Sequence, residues 1–224
     1  MNEAIWDWGY ALSTLPELLE HFAKFTLVAT VLGTALGAIL GLVFTLVRRA
    51  RTPVLSQATT VFIEFVRSTP LLIQLFFLYY VLPDVGLTLS AMTAGVVGLG
   101  VHYACYYTEV YRAGIDAVPV GQWEASTSLH LSPARTWRRV ILPQAVRNVL
   151  PSLGNYAISM FKETPFLALI TVPELVHTAR AIGNDTSEYL EPLTMAGLVF
   201  LVASYPTALL LRRLERRLET SPVA

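Results

Sequence analysis

Two stretches of this sequence set charges directly before a proline inside otherwise apolar runs. Glu64 and Arg67 precede Ser68-Thr69-Pro70, with Gln74 four residues on, and Lys162 and Glu163 precede Thr164-Pro165. Proline has no backbone N–H and disfavours helix in the residue before it, so each run reads as a helix broken at a charged point. Glu64 and Arg67 are three apart, share a helix face and can pair as a structural staple. The other use of such a break, inside a membrane, is to offer charges and freed backbone groups to a polar solute. Arg67, Thr69, Pro70, Gln74, Lys162, Glu163 and Thr164 are the candidates for that path. Glu109 adds an acid with Tyr106 three residues before it and Arg112 three residues after it. A carboxylate beside aromatic rings suits a cationic or zwitterionic solute, and a carboxylate beside Arg112 makes an ion pair. Both readings of Glu109 stand on the sequence.

A third stretch carries polar chemistry of another kind. Residues 120–145, VGQWEASTSLHLSPARTWRRVILPQA, hold Glu124, Arg135, Arg138 and Arg139 and nothing able to cross a bilayer. They read as two short helices: one over 121–129, then Ser132 as N-cap and Pro133 at the first helical position of a second that runs toward Leu142-Pro143. Such a hairpin has apolar side chains to bury and too little of itself to bury them in, so a partner is expected.

The elements that must position these residues are long and apolar. Of the 224 residues 54% are hydrophobic and 14% charged, and the mean hydropathy is +0.54, which points to an integral membrane protein. Apolar runs at 27–47, 54–82, 89–111, 148–172 and 193–211 are each long enough to span. Gly33, Gly37 and Gly41 share one face of the first and permit close helix packing. Arginines gather after the first, third and fifth runs (Arg48, Arg49 and Arg51; Arg112 to Arg147; Arg212 to Arg217), and acids gather in the other loops. That alternation predicts five transmembrane helices with the N-terminus outside and the arginine loops, the C-terminus and residues 120–145 in the cytoplasm. The start of the chain, acidic and without Lys or Arg as far as Phe22, is not expected to be a signal peptide. A net charge of zero offers no general basic face for nucleic acid, and Cys105, the only cysteine, excludes an internal disulfide and a cysteine-based metal cluster. No G-x-x-x-x-G-K-[ST] is present, so ATP hydrolysis by a P-loop is excluded, as are paired-histidine metal and nucleophile motifs. An intramembrane enzyme and an ion-coupled secondary transporter remain as alternatives, although the transporter would usually need more spans or an internal repeat and would not need a loop like 120–145.

Residues 121–126, Gly-Gln-Trp-Glu-Ala-Ser, followed by Val140-Ile141-Leu142-Pro143-Gln144-Ala145, resemble the "EAA" cytoplasmic loop of bacterial ABC-importer permeases. Arg67-Ser68-Thr69-Pro70-Leu71-Leu72 with Gln74, residues 107–115, and Lys162-Glu163-Thr164-Pro165 are similar to the polar amino-acid branch of that family. The resemblance covers about 25–217. It implies a type I importer domain over 25–217 with a coupling loop at about 118–143, an extracytoplasmic segment at 1–24 and a cytoplasmic tail at 218–224. It implies that Gly121, Glu124, Ala125, Ser126, His130, Leu142 and Pro143 form the surface that docks on an ATP-hydrolysing subunit. Two positions depart from the pattern: Ser126 stands for the second alanine, and His130 stands six residues after Glu124 where a glycine is usual. A glycine there suits a left-handed helix end, so the expectation is a turn shaped differently, with His130 either solvated or touching the ATPase.

The family implies a multi-pass protein of the bacterial inner or plasma membrane. It binds no cofactor itself, ATP and Mg being held by the partner. Its implied partners are a pair of ATP-binding subunits, a second permease subunit (like or identical), an extracytoplasmic solute-binding protein and the lipid bilayer. The implied cargo is a polar amino acid or an amino-acid-derived compatible solute; the likeness is to permeases for ectoine and hydroxyectoine.

Overall fold

The computed structural model describes residues 6–50 and 52–219, so Glu3, Arg51 and the end of the tail lie outside the described residues. Every element among them is helical. The first begins well before the expected 27. Asp7 caps α1 (Trp8–His21), its Oδ1 accepting from the backbone N–H of Gly9 at 2.7 Å and of Tyr10 at 3.2 Å. A π-helical turn at Phe22–Leu27 then carries the chain without a break into α2 (Val28–Arg49). From Asp7 onward the acidic start is therefore part of this helix. Its inner face, Ala11 and Leu18, packs with Leu175, Ala179, Met195 and Ala196 from α9 (Leu175–Thr186) and α10 (Leu190–Glu219).

The second apolar run is not one straight span. Pro70 holds Thr69 in an extended conformation, so α3 (Pro53–Ser68) ends and α4 (Leu71–Phe76) starts in a new direction, the two arms meeting at 105°. The third run becomes α5 (Ala91–Asp116), the centre of the bundle and the most buried helix. By length and apolarity Trp8–Arg49 and Leu190–Leu218 are able to cross a membrane, and up to four spans result if each bent pair counts as one. α5 falls short of that apolarity because α2, α4 and α8 (Leu142–Glu163) shield it from lipid, so it tolerates His102, four tyrosines and Glu109.

The α2–α5 contact explains the glycine spacing. A side chain at Gly41 would place its Cβ 2.7 Å from the Tyr107 Cβ and 3.0 Å from the Ala104 carbonyl, so the two backbones touch there. Gly41→Leu is expected to destabilise the fold by about 1–3 kcal/mol, the usual cost of overpacking. A thermal melt of the purified complex that matches the wild type would show that this contact is not tight.

The polar hairpin is α6 (Val120–Ser128) followed by α7 (Pro133–Thr136). The second helix does not stop at Leu142-Pro143. It passes through a π-helical turn at Trp137–Ile141 into α8 (Leu142–Glu163), so one helix continues from Pro133 past the expected end. Pro143 lacks the N–H that an α-helical turn would need, and the wider π-turn sits just where that hydrogen bond is missing. After α8 the chain tightens to a 3-10 helix at Thr164–Ile170, because Pro165 cannot continue the ladder.

Candidate functional site

The first break in the membrane region is held shut by its own side chains. The Gln74 side-chain amide donates to the carbonyls of Val66 at 2.7 Å and Thr69 at 3.0 Å and to the Thr69 hydroxyl at 2.8 Å. The carbonyls freed at the end of α3 are thereby satisfied inside the protein, the condition for irregular backbone at membrane depth. The Gln74 carbonyl oxygen lies 3.3 Å from His102 Nδ1 on α5. Gln74 and Thr69 are thus the girders of the break.

Around the break opens a pocket of about 340 Å³. Arg67, Thr69, Pro70 and Leu72 line one side, His102 and Tyr106 of α5 the back, and Glu163 and Phe166 the other side. The Arg67 guanidinium lies 5.4 Å from the centre of the Tyr106 ring. The same ring sits 5.3 Å from His102 and 5.4 Å from Tyr156 of α8. Glu163 is half-buried and accepts a hydrogen bond from the Tyr103 hydroxyl at 2.9 Å. Arg67 keeps a 3.3 Å ion pair with Glu64, the pairing their spacing allows. A cation, an aromatic wall and an anion therefore share one opening, an arrangement that can receive a carboxylate at one end and an amine at the other.

Three expected members of the path are placed elsewhere. Lys162 is exposed and makes no ion pair among the described residues, so it is not the base beside Glu163. Consecutive helical residues point about 100° apart, which separates them. Thr164 is fully buried, and its hydroxyl donates to the Phe161 carbonyl at 2.7 Å, closing the end of α8. Of the two readings of Glu109, the structure has the ion pair with Arg112, at 2.8 Å, and adds Arg48 of α2 at 2.5 Å, in place of a solute seat with Tyr106. Arg49 and Arg112 continue the clasp to Asp116 at 2.9 and 3.4 Å. Arg48 is the partner that sequence spacing could not show, because it comes from a different helix. His102, Tyr103, Tyr156 and Phe166 join the pocket beyond the residues expected from sequence; the tyrosines of α5 were the available signal, and of these Tyr103 reaches Glu163.

The hairpin presents a second candidate surface. Trp123 and Trp137 pack edge to face at 5.2 Å over Ile115, Val118, Ile141 and Ala145, so the hairpin buries more of itself than its length suggested. Its outer face stays open. Gly121, Glu124, Ala125 and His130 are exposed, with Val120 at 70% and Leu129 at 72%, while Ser126 is buried and donates to the Gln122 carbonyl at 2.7 Å. Leu142 and Pro143 are exposed at the start of α8.

The altered turn expected from His130 is not found. His130 adopts φ +51°, its N–H bonds the Thr127 carbonyl at 2.9 Å, and the Leu131 N–H bonds the Ser126 carbonyl at 3.0 Å. This is the left-handed helix end that glycine favours, here adopted by histidine at a cost of roughly 1 kcal/mol.

Residues 26–220 match the family model described as "Binding-protein-dependent transport system inner membrane component". The chain is 44% identical over 212 residues to "Probable amino-acid ABC transporter permease protein y4tG" of Sinorhizobium fredii, covering 92% of this chain and 91% of that one. It is 32% identical over 213 residues to the L-cystine transport system permease protein TcyB of Bacillus subtilis, covering 95% and 91%. The crystal structure of an amino acid ABC transporter with histidines superposes with a TM-score of 0.89 at 34% identity, over 95% of this chain and 99% of that one. A methionine ABC transporter, MetNI, superposes at 0.68 with 18% identity, which shows a shared fold.

Proposed function

Because the chain belongs to the binding-protein-dependent transport inner-membrane component family and is the permease subunit of an amino-acid ABC importer, we propose that its pocket at the two helix breaks is this subunit's half of the solute path. The observation that carries this reading is the placement of Arg67, the Tyr106 ring and Glu163 around one opening. The cargo is a polar amino acid or a zwitterionic amino-acid derivative such as ectoine: Arg67 takes the carboxylate, and Glu163 with the aromatic wall takes the positive part. Thr69, Pro70 and Gln74 hold the break in shape.

A chain with so few spans encloses no path alone, so a second permease copy, like or identical, completes it. The exposed face of α6 with Leu142 and Pro143 docks on a partner ATPase, which holds ATP and Mg, and an extracytoplasmic binding protein delivers solute. Five spans with the N-terminus outside accommodate the arginine clusters on one side. The test is uptake by cells carrying the permease with its ATPase and binding protein, against a panel of labelled zwitterionic, cationic and neutral solutes. Reporter fusions after Arg51, Asp84, Arg138, Asp185 and Arg217 are expected to read in, out, in, out, in. No uptake of any amino-acid-like solute overturns the cargo, and a fusion after Arg138 that reports from outside overturns the topology.

A further inference from the structure

His102 stands buried at the back of the pocket, and its neighbour Gln74 decides which of its ring nitrogens carries a proton. The Gln74 amide meets the carbonyls of Val66 and Thr69, which can only accept. The atom facing them is therefore the NH2 nitrogen, and the atom facing His102 is the oxygen. That oxygen cannot donate. The 3.3 Å contact is a hydrogen bond given by the ring, so Nδ1 holds the proton.

The other ring nitrogen, Nε2, has no partner among the described residues, and protein does not seal it off. His102 makes no ion pair among the described residues, and Arg67 already brings a cation to the same opening. A second, unpaired positive charge there would be costly, so Nε2 is left as a bare acceptor. The pocket thus holds two acceptors, the Glu163 carboxylate at one side and Nε2 of His102 at the back. The Tyr106 ring between them attracts a quaternary ammonium as readily as an amine. The two acceptors do not. A nitrogen capped with methyl groups leaves both of them unpaired, which is how a hydrogen-bonding site rejects an analogue.

We propose that His102, through Nε2, is a specificity determinant of this pocket. It admits zwitterions whose cationic group carries at least two N–H bonds, namely primary and secondary amines and amidinium rings, and it turns away betaines with a quaternary nitrogen. One N–H goes to Glu163 and the other to His102, while Arg67 takes the carboxylate. This role rests on the pocket being the solute path.

The test is solute binding, by isothermal titration, to the purified permease–ATPase complex without the binding protein, whose own selectivity would intervene. Proline and ectoine are the probes with two N–H bonds, and N,N-dimethylproline is the probe with none. Wild type is expected to bind the first two roughly a hundredfold more tightly, about tenfold for each acceptor that the methylated probe leaves unpaired. His102→Asn keeps an N–H for Gln74 and removes the acceptor at Nε2, so the preference falls to about tenfold. His102→Gln loses that N–H but carries an oxygen out to the Nε2 position, so the preference returns toward the wild-type value. A purely structural histidine gives the reverse order, because only the glutamine breaks the bond to Gln74. That reverse order, a preference that His102→Asn leaves unchanged, or wild-type complex that binds dimethylproline equally well overturns the role of His102. Arg67→Gln and Glu163→Gln distinguish this from a failure of the pocket itself. If neither weakens the binding of any probe, or if no N–H probe binds, the solute path lies elsewhere and the role of His102 falls with it.

Discussion

Glu124→Lys is expected to abolish uptake and solute-stimulated ATP hydrolysis together, while the permease still reaches the membrane at its normal level. Glu124 is exposed on α6, beside Ala125 and near Val120 and Leu129, and makes no ion pair within the described residues. The substitution therefore costs the fold little: helix formation hardly distinguishes Glu from Lys, and no partner is orphaned. On the surface proposed to dock on the ATPase the same change reverses the charge presented to the partner. Like-charge juxtaposition in an interface costs several kcal/mol, more than about a hundredfold in affinity. The measurements are membrane abundance by immunoblot, uptake, and ATP hydrolysis by the reconstituted complex. A Glu124→Lys complex that still couples hydrolysis to uptake removes α6 from the docking surface.

The second large effect separates two carboxylates that sequence treats alike. Glu163→Gln is expected to lower uptake of cationic and zwitterionic solutes by roughly ten- to a hundredfold, the worth of a charge-assisted hydrogen bond, and to shift the solute ranking toward neutral compounds. Its melting temperature should stay near wild type, because Glu163 makes no ion pair among the described residues and the glutamine oxygen still accepts from Tyr103. Glu109→Gln should do the opposite. It removes the charge that holds Arg48 and Arg112 together, costing about 1.5–3 kcal/mol of stability and leaving the solute ranking unchanged. Competition panels and thermal melts on both variants decide the matter. An unchanged ranking with a lowered melt for Glu163→Gln would make that residue a staple and remove it from the path.

What the sequence made legible was local. Pro70 and Pro165 marked the two breaks because proline acts on its own backbone and the residue before it. The polar hairpin was legible because its turn residues lie within a dozen positions of each other. The Glu64–Arg67 pair followed from helical spacing. Contacts between distant segments were not legible. Arg48 reaches Glu109 across two helices, Tyr103 reaches Glu163 from α5 to the end of α8, and α1 becomes a continuation of α2 because Leu175, Met195 and Ala196 are there to cover it. His130 shows the reverse case. Its intrinsic preference argues against a left-handed turn, yet two backbone hydrogen bonds at the end of α6 and the packing of the two tryptophans require one.

If α6 docks on the ATPase and the pocket holds solute as proposed, the unbroken helix from Pro133 to Glu163 is a mechanical linkage between them. At about 1.5 Å per residue it is roughly 45 Å long, so each degree of tilt at the hairpin sweeps the far end by roughly 0.8 Å. A few degrees move Glu163 by several ångströms relative to Arg67, which sits on a different helix, and nothing in the pocket has to unfold. Such a linkage runs in both directions. Whatever free energy the docked ATPase contributes to one position of Glu163, a solute held by Glu163 returns to the ATPase contact as an equal change in affinity. An occupied pocket and an engaged hairpin are then two readings of one equilibrium.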